Sequence, residues 1–129
     1  MDRVYRIVLT LVVLFAVFYG FEWFTSGGET EPIEVAVESI REGASVIDVR
    51  TASEYDGGHI EGAIHANVLG DGFRDAVADL DRDEPVYLYC QSGHRSGRAA
   101  AVLEGMGFAR VVNVGGIGAL EEGGLPIAR

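Results

Sequence analysis

Short apolar runs that alternate with helical patterns are the feature that most constrains the fold of this 129-residue chain. Three runs, at residues 46–49, 85–89 and 111–114, are rich in Val, Ile, Leu and Tyr and are bounded by turn residues. Runs of this kind are typical of strands that are covered on both faces. Residues 63–66 predict a fourth strand, and residues 33–35 predict a fifth.

Two stretches between these runs carry apolar residues at the i, i+3, i+4, i+7 spacing of an amphipathic helix. Strands and helices in this alternation predict consecutive βαβ units. We therefore predict an α/β domain over residues 33–129, with a parallel sheet of about five strands and helices on both faces. The two helical sets are Phe73, Ala76, Val77 and Leu80, and Ala99, Val102, Leu103 and Met106.

The amino-terminal segment is mostly apolar. Residues 7–21 carry no charge, Arg3 and Arg6 precede them, and acidic residues follow. This pattern predicts a hydrophobic helix within residues 1–24 that anchors the chain in the cell membrane, with its amino end in the cytoplasm and the domain outside. A cleaved signal peptide, which would leave the domain periplasmic or secreted, is the alternative. Residues 25–32 predict a short solvated linker.

Charge and cysteine content exclude several classes of function. The chain carries 20 acidic residues against 10 arginines and no lysine, a formal net charge of −10, which argues against binding nucleic acid. Cys90 is the only cysteine, which excludes an intramolecular disulfide and a Cys-rich zinc site. His59, His65 and His94 have no third ligand at a metal-like spacing. We therefore predict no metal and no cofactor.

The loop that follows Cys90 carries the chemistry. It leaves the carboxyl end of an interior strand, which is the edge where parallel sheets bind ligands. Inward-facing amides, a helix amino terminus and the charges of Arg95 and Arg98 would favour a nucleophilic thiolate. A buried, inert cysteine is the alternative, but a polar loop is a poor wall for an apolar pocket. The loop residues predicted to bind substrate are Gln91, Ser92, Gly93, His94, Arg95 and Ser96.

Three ordered motifs carry a resemblance to a known family. The first motif combines residues 47–50, Ile-Asp-Val-Arg, residues 54–55, Glu-Tyr, and residues 58–64, Gly-His-Ile-Glu-Gly-Ala-Ile. Residues 89–100 read Tyr-Cys-Gln-Ser-Gly-His-Arg-Ser-Gly-Arg-Ala-Ala, and residues 114–117 read Val-Gly-Gly-Ile. Together they resemble the single-domain rhodanese (thiosulfate sulfurtransferase) family, in its exported phage-shock-protein E type.

The resemblance implies a two-step sulfur transfer. Cys90 would attack the outer sulfur of thiosulfate, form a persulfide, and pass that sulfur to cyanide or a thiol. Backbone amides of the loop would stabilise the persulfide, while Arg95 and Arg98 steer the anion. Asp48 and Arg50 belong to the Asp-x-Arg motif, where a structural ion pair that ties loops together is the expected role.

Two other functions compete with this interpretation. Cysteine phosphatases and arsenate reductases use a thiolate in a similar cradle, but they place the loop arginine one position further from the cysteine than Arg95 stands from Cys90. The second alternative is a membrane-tethered, non-catalytic rhodanese-like module that carries sulfur or binds partners. Because such modules often lack the cysteine, its presence favours an enzyme.

Overall fold

The computed structural model describes residues 3–4, 6–8, 10–11 and 27–129. From residue 33 onward, strands and helices alternate along the chain, as the sequence predicts. Their order is α1 (Ile33–Arg41), β1 (Ser45–Asp48), α2 (Ala52–Asp56), β2 (His59–Ile60), β3 (Ile64–His65), α3 (Phe73–Val77), β4 (Val86–Cys90), α4 (His94–Gly105), β5 (Val111–Gly116), α5 (Ile117–Glu122) and β6 (Ile127–Ala128).

The central sheet has four strands in the order β3-β1-β4-β5, and all of its pairs are parallel. In its register Asp48 lies opposite both His65 and Tyr89, and Cys90 lies opposite Gly116. The carboxyl ends of β1, β4 and β5 therefore meet at one edge, which carries Cys90. Strands β2 and β6 form a separate antiparallel pair.

The prediction of a fifth strand at residues 33–35 is wrong, because these residues open helix α1. Ile33, Ala36, Val37 and Ile40 follow the helical spacing, and all four pack into one core cluster. Glu34 in the first turn and Arg41 in the last complement the helix dipole. A window of three residues was too short to reveal this period.

Helices cover both faces of the sheet, as predicted. Because β4 is central, all five of its residues are buried. Its alternate side chains enter two separate clusters, one against α3 and α4 and the other against α1 and α5. The first cluster includes Ile47, Leu88, Cys90, Val77 and Leu103, and the second includes Val46, Tyr87, Tyr89, Val37 and Leu120.

Part of the predicted linker is fixed to the edge of the sheet. Glu29 forms a parallel bridge with Val112, donating from its N–H to Val111 O at 2.7 Å and accepting from Asn113 N at 2.9 Å. Gly27 N donates to Gly97 O of α4 at 3.2 Å. The edge strand β5 has free backbone groups, and Glu29 pairs with them instead of remaining solvated.

Most of the predicted amino-terminal anchor, residues 1–24, lies outside the described residues. The described positions before residue 12 are helical. Within the part of the chain that the structure describes, no helix has both the length and the apolar character needed to cross a bilayer.

Candidate active site

The turn between β4 and α4 depends on a glycine. Cys90 ends the strand, and α4 begins at His94 after a turn of only three residues. Gly93 adopts φ +95°, a left-handed conformation that side chains rarely take. A Cβ at this position would also lie 3.1 Å from Gly115 Cα. Gly93 thus lets the chain reverse directly over the thiol.

The Cys90 sulfur lies within a ring of hydrogen-bond donors. Gly93 N donates to Sγ at 2.9 Å, and Ser96 Oγ lies 3.6 Å from Sγ. Burial raises the pKa of the Cys90 thiol. Hydrogen bonds from the Ser96 hydroxyl and from the backbone N–H groups of Ser96, Ser92 and Gly93 lower it by more than burial raises it. The net pKa is therefore below the ordinary 9.0. The site therefore favours the nucleophilic thiolate.

The thiol is also completely covered, with 0% of the Cys90 surface exposed. Gln91, Ser92 and His94 lie on the solvent side of the loop and are exposed, whereas Ser96 is buried. The substrate atom that reacts with Cys90 must therefore reach the sulfur by passing between loop residues. This arrangement favours a substrate that presents a single protruding atom.

Arg95 is tied to an acidic partner. Its two terminal nitrogens donate to Glu54 Oε1 at 2.6 Å and Oε2 at 2.9 Å. Hydrogen bonds from Arg95 are the main reason that the pKa of Glu54 falls to about 2, with a smaller contribution from Thr51. The bidentate pair fixes the guanidinium near Cys90 and neutralises part of its charge. Arg98, on the same helix, is exposed.

Asp48 and Arg50 form a buried ion pair at 2.7 Å beneath the loop. Tyr89 joins it, because its hydroxyl donates to Asp48 Oδ2 at 2.7 Å and accepts from Ile60 N at 3.0 Å. Burial and the bond to Asp48 raise the pKa of Tyr89, which keeps its hydroxyl protonated. We call Asp48, Arg50 and Tyr89 the buried polar network.

The buried polar network reaches the loop after Cys90 through Arg50. Its Nη1 donates to Gln91 Oε1 at 3.2 Å, and its Nη2 donates to Gly58 O at 2.6 Å. One guanidinium thus links the loop after Cys90 to the Gly-His-Ile segment. These contacts are of the kind expected for loops tied together by an Asp-x-Arg motif.

Three residues of the site had no role predicted from the sequence, namely Glu54, Tyr89 and Asn113. Asn113 lies on β5, where its Oδ1 is 2.7 Å from Ser96 Oγ and its Nδ2 donates to Gly93 O at 3.3 Å. The only sequence signal for Asn113 is a polar residue inside an apolar strand run. Glu54 stands in a capping box with Thr51, a local role that conceals its pairing with Arg95.

The histidines take part in hydrogen bonds and stacking. Tyr55 stacks on His59 with ring centroids 3.7 Å apart and on His65 at 4.6 Å. Each of these histidines has a ring nitrogen within 2.9 Å of a backbone carbonyl, to which it must donate. Among the described residues, no group of three or more His, Cys, Asp or Glu side chains is arranged to hold a metal ion.

Fold and site together define a class of protein. It is a parallel α/β domain with a thiol of lowered pKa, ringed by donors at the carboxyl edge of its sheet. Such a cradle suits an anion that reacts with a cysteine thiolate. The chain belongs to the rhodanese family, since the sequence model described as Rhodanese-like domain matches residues 33–122.

Relatives with named activities support this membership. The chain is 38% identical over 71 residues to thiosulfate sulfurtransferase PspE of Escherichia coli, a match that covers 55% of this chain and 68% of PspE. It is 37% identical over 83 residues to thiosulfate sulfurtransferase GlpE of Pseudomonas entomophila, covering 64% and 74%.

For two matched proteins of Bacillus subtilis, the matched region covers only about half of their length. The uncharacterized protein YqhL is 42% identical over 73 residues, and the match spans 57% of this chain but only 56% of YqhL. The putative sulfur carrier protein YrkF is 33% identical over 87 residues, covering 63% of this chain and 46% of YrkF. The chain thus spans about half the length of these two relatives.

A solved structure described as a rhodanese with anions from E. coli has the same fold. It superimposes with a TM-score of 0.58 at 32% identity, covering 67% of this chain and 99% of that one.

Proposed function

We propose that this protein is a sulfurtransferase that moves sulfane sulfur from thiosulfate, or a similar donor, to a thiophilic acceptor through a persulfide on Cys90. The observation that carries the proposal is the donor ring around Sγ, with Gly93 N at 2.9 Å and Ser96 Oγ at 3.6 Å. The same donors can stabilise the negative charge of a persulfide, which is also an anion. The named activities of PspE and GlpE support it.

The chemistry balances without a cofactor. The Cys90 thiolate attacks the outer sulfur of thiosulfate, a sulfur–sulfur bond forms, and the bond between the two thiosulfate sulfurs breaks. Sulfite leaves with the electron pair of that bond, and Cys90 carries a persulfide anion. A nucleophile such as cyanide then attacks the outer persulfide sulfur, which leaves as thiocyanate and restores the thiolate.

The covered position of the thiol favours this donor over a phosphate ester. The reacting sulfur of thiosulfate protrudes from the molecule as a single atom, whereas the phosphorus of a phosphate ester is enclosed by four oxygens. Cys90 has no exposed surface, and α4 begins after a turn of only three residues. A narrow approach of this kind admits the sulfur atom and excludes a tetrahedral centre.

Replacing the nucleophile tests the proposal. Cys90→Ser is nearly isosteric, so we expect it to fold normally and to lose thiosulfate:cyanide activity. Both proteins are assayed for thiocyanate, with thermal unfolding as the folding control. Comparable turnover by the serine variant, or cleavage of an aryl phosphate by the wild type, would contradict the proposal.

Arg95 tests how the anion is held. We expect Arg95→Ala to raise the KM for thiosulfate several-fold with a smaller change in kcat, because uniform binding energy is lost. Arg74→Ala, on the exposed surface of α3, is the matched control for loss of one positive charge. An unchanged KM in Arg95→Ala would mean that other groups hold the anion.

A second candidate is a sulfur carrier that does not turn over, a function that the name of YrkF supports. A carrier would load one sulfur from a persulfide donor and release it only to a specific partner. Thiosulfate alone would then give no more than one sulfur per chain, and cyanide would not produce repeated turnover. The thiocyanate yield per chain separates the two functions.

We also propose that residues 1–24 anchor the domain to the cell membrane, outside the cytoplasm. The uncharged stretch at residues 7–21, which follows two arginines and precedes acidic residues, supports this. Gly27, three positions past the predicted anchor, is hydrogen-bonded to Gly97 of α4. An anchor formed by residues 1–24 would therefore hold the active-site helix close to the bilayer.

Membrane fractionation and intact mass spectrometry test the anchor. We expect the full-length chain in the membrane fraction, and we expect protease added from outside to remove the domain. A soluble product that lacks the amino-terminal residues would instead indicate a cleaved signal peptide.

A further inference from the structure

The Ser96 hydroxyl has more acceptors than it can serve. A serine hydroxyl donates one hydrogen bond. Around Ser96 Oγ lie Asn113 Oδ1 at 2.7 Å, Gly93 O at 3.0 Å and Cys90 Sγ at 3.6 Å. These acceptors compete for a single proton, and Asn113 offers the shortest contact.

The orientation of the Asn113 amide is fixed by its other contacts. Gly115 N lies 3.1 Å from Oδ1, so this atom must accept a hydrogen bond. Nδ2 lies 3.3 Å from Gly93 O, so it must donate. In a flipped amide, Nδ2 would face the N–H of Gly115, which is also a donor, and Oδ1 would face the carbonyl oxygen of Gly93, which is also an acceptor. The oxygen therefore faces Ser96, whose hydroxyl donates to it.

We propose that Asn113 is a positioning residue for sulfur transfer: it holds the Ser96 hydroxyl proton while Cys90 is a thiol and yields it when Cys90 becomes an anion. In the resting state a lone pair of Ser96 Oγ faces the thiol. After deprotonation or persulfide formation, rotation about the Cβ–Oγ bond turns the same proton toward sulfur. Asn113 Oδ1 keeps its bond from Gly115 N throughout, so the rotation leaves no buried acceptor without a partner.

This mechanism rests on the proposed function for its role in catalysis, but its geometry can be tested without any sulfur donor. A double-mutant cycle compares Asn113→Leu in the native Ser96 background and in Ser96→Ala. Leu keeps the branched shape of Asn, although it is larger, and offers no acceptor. The pH dependence of Cys90 alkylation by iodoacetamide gives the apparent pKa of the thiol in each protein. Arg95 and Glu54, the charged pair beside the thiol, are the same in all four proteins.

Removing the competing acceptor should leave the hydroxyl free for the thiolate. We expect Asn113→Leu to lower the apparent pKa of Cys90 by roughly half a pH unit more in the Ser96 background than in the Ser96→Ala background. Loss of the Nδ2 bond to Gly93 occurs in both backgrounds and cancels. Asn113→Asp, which keeps an acceptor and adds negative charge, should raise the pKa.

Equal pKa shifts by Asn113→Leu in both backgrounds would overturn the proposal, because Asn113 would then act without Ser96. A smaller downward shift in the Ser96 background would overturn it as well. If Asn113→Leu unfolds, as thermal unfolding would reveal, Asn113→Asp in the same two backgrounds decides, with the larger upward shift expected where Ser96 is present. If wild-type protein never loads sulfur, the proposed function fails, but the alkylation cycle still tests the hydrogen-bond exchange.

Discussion

The buried polar network predicts a large effect for a very small change, Tyr89→Phe. The substitution removes one oxygen atom from a side chain that is fully buried. That oxygen donates to Asp48 at 2.7 Å and accepts from Ile60 N at 3.0 Å. Asp48 and the N–H of Ile60 remain buried after the substitution, so water cannot replace the two lost hydrogen bonds.

The magnitude follows from these two contacts. A hydrogen bond to a charged group contributes about 1.5–3 kcal/mol, and a buried N–H left without an acceptor costs about 1–3 kcal/mol. Because the terms are not strictly additive, we expect a loss of about 3 kcal/mol in the free energy of unfolding. For a domain of this size, that loss lowers Tm by more than about 10 °C.

Tyr87→Phe provides the matched control. Tyr87 lies two residues earlier on the same strand, is 2% exposed, and takes no part in the buried polar network. We expect its loss to stay within about 0.5 kcal/mol. Chemical denaturation of wild type and both variants measures the difference. Equal stability of the two phenylalanine variants would refute the reasoning that this hydroxyl stabilises the Asp48–Arg50 pair.

Two further predictions concern residues around the loop. The pKa of Glu54 lies at about 2 rather than the ordinary 4.5, mainly because Arg95 donates hydrogen bonds to the carboxylate. The ionised carboxylate therefore stabilises the fold above pH 4.5, and this contribution is lost as the pH falls toward 2. In Glu54→Gln, unfolding measured across this interval should depend less on pH, and an unchanged pH dependence would contradict the pairing. Gly93→Ala should lower the free energy of unfolding by about 1–2 kcal/mol and remove most sulfurtransferase activity. Alanine at φ +95° is strained, and its Cβ would contact Gly115. Gly118→Ala, where a Cβ meets nothing within 4 Å, is the control, and equal effects in the two variants would contradict this account.

The alternation of strands and helices could be predicted because burial on both faces forces apolar runs, and these can be recognised locally. The pattern at residues 33–35 does not by itself predict helix α1, because the helical period becomes visible only when the window extends to Ile40. Composition predicts a solvated linker at residues 25–32 and does not reveal the free edge of β5, to which Glu29 binds.

The Cys90 loop could be predicted for the same local reason, since strand, turn and helix are consecutive there. The residues that contact this loop from elsewhere in the chain, or that pair beneath it, could not be predicted. Tyr89 and Asp48 are separated by 41 positions, as are Arg95 and Glu54, and Asn113 lies 17 positions from Ser96. No periodicity links such residues. The sheet register brings Tyr89 to Asp48, and the packing of α4 against β5 brings Ser96 to Asn113.

Intact mass spectrometry of the purified protein after treatment with thiosulfate tests the central claim most directly. The account predicts that wild-type chain gains the mass of one sulfur atom, that cyanide removes it, and that Cys90→Ser gains nothing. A wild-type chain that never gains sulfur, or a serine variant that gains it equally, would contradict the account.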